Sequence, residues 1–155
     1  MRDDLELLFN SLIRFQYEKI EYLEKILNIE LQIKNILEKK TDIDFEKIIE
    51  FENEIINKIN LLDFDITSTT GDIRQRGGID PDTDRSRSLA KTEPLFNKFT
   101  IIKNREKELL VDINKIKSCN IKEMERILRE TLKEADEIGR IDRIKMLLAK
   151  YLRSS

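Results

Sequence analysis

The stretch "DLELLFNSLIRFQYEKIEYLEKILNIELQIKNILEK", residues 4–39, decides the fold class. Its apolar side chains return every seven residues. Leu5, Leu12, Ile26 and Ile33 fall on one row, which Lys19 alone interrupts, and Leu8, Phe15, Tyr22, Ile29 and Ile36 fall on the next. A repeat of seven matches two turns of a helix, whereas a strand would alternate every second residue. Flanking rows add Phe9, Leu23 and Leu37, then Ile13, Ile20 and Leu27. The apolar face is wider than the seam of a two-stranded coil, so this helix is expected to touch at least two others.

The same period appears further along. Thr41 with Asp44 fits a capping box, and Asp42 or Asp44 could cap alone. A second helix then follows to about Phe64, with its stripe on Phe45, Ile48, Ile55, Ile59 and Leu62. The short connection predicts an antiparallel hairpin with the first helix. From Thr67 to Thr92 the composition turns polar and glycine-rich, which reads as a mobile loop over residues 67–92. Asp80, Asp82 and Asp84 hint at a calcium loop, but Arg85 and Lys91 stand where its glycine and bidentate glutamate belong. Pro94 opens a third helix, expected to run to Ile138 either unbroken or kinked near Asn120. The fold class expected is all-α: a helical hairpin plus a long third helix, forming a three-helix coiled-coil bundle over residues 1–138.

Composition narrows the function. The 155 residues suit one domain, and 29 basic against 31 acidic residues give a net charge of −2. That balance argues against nucleic acid as a partner. There is no histidine and Cys119 is the single cysteine, so a zinc site or a histidine-assisted nucleophile cannot be assembled. Glu50, Glu52 and Glu54 read as a solvated helix face rather than a catalytic pair. Gly77-Gly78 lacks the lysine and helix start of a phosphate loop. No enzyme activity and no cofactor is expected. The opening "MRDDLELLF" does not resemble a secretory leader, and no apolar run reaches the length of a membrane span, so a cytoplasmic location is expected.

Residues 139–155 form a separate amphipathic tail in this reading. Ile141, Ile144, Leu147, Leu148, Tyr151 and Leu152 make its apolar stripe, while five basic residues against Asp142 give Arg140–Arg153 a local charge of +4. The phase of the stripe changes near Gly139, which is expected to act as a hinge. Three roles compete for the stripe: packing back as a fourth helix, binding a partner's helix, or lying on a membrane surface. The stripe has no Trp or Phe, which counts against the membrane. As a partner-binding tail, it should be removable without loss of bundle stability.

A long first helix of spaced leucines, an acidic start to the second helix over Asp42–Ile48, a variable loop, a long third helix and a loose amphipathic end together resemble the FlgN family of flagellar export chaperones. The resemblance implies a cytoplasmic chaperone that binds the hook–filament junction proteins FlgK and FlgL before type III export. It places substrate binding in the C-terminal stripe. It also associates a C-terminal tyrosine, here Tyr151, with the export-gate protein FlhA. A structural or adaptor coiled-coil protein is the alternative.

Overall fold

The structure is a computed structural model that describes residues 2–39, 45–82, 93–133 and 138–153. The described residues form four helices: α1 (Arg2–Lys39), α2 (Phe45–Gly77), α3 (Glu93–Lys133) and α4 (Ile138–Arg153). Among the described residues there is no strand. The seven-residue rows become the buried faces: Leu12 and Ile33 of α1, Ile49 of α2 and Leu109 of α3 are all fully buried. Burial of such rows, rather than intrinsic propensity, is what holds long helices together in water.

The second helix is longer than its composition suggests. Expected to end near Phe64, it runs on to Gly77, so residues 67–77 of the anticipated loop are helical. The reason lies in spacing: after Leu62 come Ile66, Thr69, Thr70 and Ile73, and of these Thr69, Thr70 and Ile73 are buried, Ile73 completely. Three- and four-residue steps keep one face against the protein, and that packing overrides the poor helix propensity of Thr-Ser-Thr-Thr-Gly. The helix stops at Gly78, whose φ of 61° only glycine adopts freely and whose N–H closes on the Arg74 carbonyl at 3.0 Å. Beyond it, Asp80 Oδ1 accepts from the Asp82 N–H and pairs with Arg74. The remaining part of the anticipated loop, residues 83–92, and the proposed cap at Thr41 and Asp44 lie outside the described residues.

The third helix is continuous from Glu93 to Lys133, through Asn120 without interruption. The description resumes with α4 at Ile138, and residues 134–137, through which a third helix reaching Ile138 would pass, lie outside the described residues. Gly139, expected as the hinge, lies inside the first turn of α4.

Packing divides the chain into two compact units, and the division is not at residue 139. The first unit comprises Met1–Glu24 and Asn57–Leu109. In it Phe9 meets Phe96, with ring centroids 5.2 Å apart, and the pairs Lys19–Asp63 and Glu24–Arg105 follow. As the α1 number rises from Phe9 to Glu24, its α3 partner rises from Phe96 to Arg105. Its α2 partner falls, from Gly77 against Leu5 to Asp63 against Lys19. Within this unit, therefore, α2 runs against α1 and α3 runs with it. A Cβ on Gly77 would stand 2.8 Å from Leu5 Cδ1, so the bare glycine lets the end of α2 approach the start of α1. The second unit comprises Lys25–Ile56 and Leu110–Ser155, and α4 belongs to it.

Candidate functional site

Each unit encloses a cluster of polar side chains, and the sequence rows explain why they are there. Phe9, Gln16, Leu23, Glu30 and Leu37 form one seven-residue row of α1, and all five are buried. Phe45, Glu52 and Ile59 do the same in α2, and Phe99, Glu106, Ile113 and Asn120 in α3. A polar residue on an apolar row is carried inside by its neighbours and must then find partners there.

In the first unit the cluster is centred on Lys19, the interruption noted in the α1 row. Its Nζ lies 2.6 Å from Asp63 Oδ1 and 2.9 Å from Glu106 Oε1. Gln16 Nε2 donates to the other oxygen of Glu106, and Lys103 Nζ approaches the same oxygen at 3.5 Å. Burial pulls the Lys19 ammonium towards neutrality, but the hydrogen bonds and charges of Asp63 and Glu106 outweigh it and the net shift is upward. For Glu106 burial pushes up, while the Lys19 hydrogen bond and charge, Lys103 and Gln16 pull harder, and the net shift is downward.

The second unit holds the candidate site. Asn120 Nδ2 donates to Oε2 of Glu30 and to its backbone carbonyl, both at 3.0 Å. The hydroxyl of Tyr151 donates to the same Oε2. Beside them Lys117 Nζ lies 3.6 Å from Glu52 Oε1 and 5.0 Å from the centre of the Tyr151 ring, over its face. Glu30, Glu52 and Tyr151 are fully buried. Burial, joined by the hydrogen bond to Glu30 and that group's charge, holds the Tyr151 phenol well above its ordinary range, so the ring keeps its proton and acts as a donor. At the rim, Lys150 Nζ bonds Glu46 Oε1 and lies 3.9 Å from Glu50. That bond and the lysine charge hold the Glu46 carboxyl below its usual range.

The six stripe residues are not equivalent in this arrangement. Tyr151 is enclosed, Ile144, Leu147 and Leu148 are half-buried, and Leu152 is 44% exposed. The Ile141 side chain lies outside the described residues. Packing back on the protein, one of the three roles weighed for the tail, is thus realised through Tyr151. The stripe is not a free surface along its whole length. Glu52 corrects the reading of Glu50, Glu52 and Glu54 as one solvated face: Glu50 and Glu54 are exposed, but Glu52 is enclosed against Lys117. Glu30 and Asn120, which no motif marks, were legible only as interruptions of apolar rows. Cys119 is exposed. Among the described residues no group of three or more acidic or cysteine side chains converges as a metal site would require, and no helix is long and apolar enough to cross a membrane.

No protein-family model matches the chain, and neither a curated protein nor a solved structure matches it.

Proposed function

We propose that this chain is a non-catalytic, cytoplasmic chaperone of the FlgN type, which binds the apolar helices of hook–filament junction proteins resembling FlgK and FlgL before type III export. Its frame is the antiparallel hairpin with a long third helix, and its working element is α4. The observation that carries the reading is the uneven cover of the α4 stripe. One side chain, Tyr151, is enclosed, whereas Ile144, Leu147 and Leu148 are half-buried and Leu152 and Met146 are exposed. A helix with one enclosed aromatic, a rim ion pair and a stripe otherwise only partly covered keeps apolar surface for a second helix, the groove-binding mode of recognition. A partner that covers those residues gains the burial that α4 alone does not complete.

Co-purification tests this. The full chain should retain the terminal helices of a hook–filament junction protein, and Leu148→Asp with Leu152→Asp should release them while the far-ultraviolet spectrum stays helical. Retention by the double variant would remove α4 from the interface. Self-association without any retention of the junction protein would favour an adaptor coiled coil instead.

A further inference from the structure

The place that α4 occupies in the second unit has a chemistry of its own. Its floor is Glu30, an acceptor, with Asn120 fixing one of its oxygens from the side. Lys117 lies where it can hold an aromatic face, and Glu46 and Glu50 line the rim. In α4 the residues that meet these features are adjacent: Lys150 takes the rim and Tyr151 the floor. The seat therefore reads a basic residue followed directly by an aromatic hydroxyl, on a helix whose apolar positions lie three and four residues earlier. The acidic rim also suits a basic helix, as α4 is.

α4 fills this seat incompletely. Glu30 Oε1 has no hydrogen-bond partner among the described residues, although the side chain is fully buried. Three stripe residues are only half-covered. An unmet buried acceptor is costly, so the seat holds α4 less tightly than a fully answered site would, and leaves α4 open to competition.

We infer that the α4 seat is a helix-binding site in its own right, and that a basic amphipathic helix carrying a Lys-Tyr or Arg-Tyr pair competes with α4 for it. The partner class is thus set by three requirements. It needs a hydrogen-bond donor at the tip of an aromatic ring for Glu30, a cation one residue earlier for Glu46 and Glu50, and apolar residues on the same face. Entry of such a helix frees α4, whose stripe then becomes available as a whole, which deepens the chaperone reading above.

A labelled synthetic peptide with the sequence of residues 138–153 is the probe, added in trans to the full chain. Binding should be weak to the natural chain, because α4 is already seated, and about tenfold or more tighter to a chain carrying Tyr151→Ala. Replacing the tyrosine of the peptide by phenylalanine should cost on the order of tenfold, since only the donor is lost. In the Tyr151→Ala chain, Glu30→Gln, which keeps the size but removes the charge that strengthens the acceptor, should weaken the natural peptide by several-fold. Equal affinity of the peptide for the natural and Tyr151→Ala chains, or no effect of Tyr→Phe in the peptide, overturns the inference. Should Tyr151→Ala fail to fold, Lys150→Glu in the full chain loosens α4 at the rim alone and must give the same ordering. The assay contains no export substrate, so its failure and that of the chaperone reading are seen separately.

Discussion

Tyr151 donates its hydroxyl to Oε2 of Glu30, a residue 121 positions earlier in the chain, and neither side chain is exposed. One contact joins the last helix to the middle of the first within the second unit. It turns a tail that looks autonomous in sequence into part of a packed body.

The hydroxyl itself is therefore worth measuring. Tyr151→Phe keeps the ring and removes the donor, leaving Glu30 with Asn120 alone on that oxygen. The expected loss is about 1–3 kcal/mol, which for a chain of this size lowers the melting temperature by roughly 3–10 °C. Thermal unfolding followed by circular dichroism reads it. An unchanged melting temperature would mean the contact contributes nothing.

Removal of α4 should do more. The stripe read as a free tail predicts no change in stability, and the packing of Tyr151 reverses that expectation. Deleting residues 138–155 uncovers Glu30, Asn120 and the apolar surface around them. Loss of a buried aromatic alone costs about 3–5 kcal/mol. The melting temperature should fall by roughly 10 °C or more. A truncated chain that melts with the full one would restore the autonomous tail.

The Lys19–Glu106 pair gives the first unit a pH dependence with a defined sign. The Glu106 pKa is lowered in the folded protein from an ordinary value of 4.5. Its contribution is thus present above pH 4.5 and lost as pH falls through the folded value. That of Lys19 is raised from 10.5, so its contribution is present below pH 10.5 and lost as pH rises through the folded value. Glu106→Gln should flatten the acid limb of stability against pH, and at neutral pH it should cost about 3 kcal/mol because Lys19 is left under-compensated. Lys19→Met with Glu106→Leu should cost less than either change alone, since Asp63 is 45% exposed and stays hydrated. Urea unfolding between pH 3 and 7 distinguishes these outcomes.

The extended end of α2 can be checked without function. Ile73 has no exposed surface, and Ile73→Ala should cost about 2–5 kcal/mol. Amide exchange over residues 67–77 should be slow, as in a packed helix. Rapid exchange there, or a negligible effect of Ile73→Ala, would return the segment to a loop.

What the sequence by itself determined was periodic. Seven-residue spacing in α1, α2 and α3 makes helices with a wide apolar face, because any other backbone would scatter Leu5, Leu12, Ile26 and Ile33 to opposite sides. Local composition determined less. Thr67–Gly77 has the residues of a loop, yet Ile66, Thr69 and Ile73 keep helical steps, and the burial of Thr69 and Ile73, which only the folded protein provides, decides between the two. The direction of α3 in the first unit was also open, and contacts such as Phe9–Phe96 and Glu24–Arg105 decided it. Gln16, Glu30, Glu52, Glu106 and Asn120 were visible as breaks in apolar rows, but a break alone does not say which side chain answers it. Pairing is a property of three-dimensional position: Glu30 meets Asn120 and Tyr151 because three helices bring separated segments together. For the same reason the stripe of α4 could be read from sequence, while the loss of Tyr151 from its free surface could not. An amphipathic helix carries the demand for an apolar partner in its own residues, and only the tertiary structure supplies the partner.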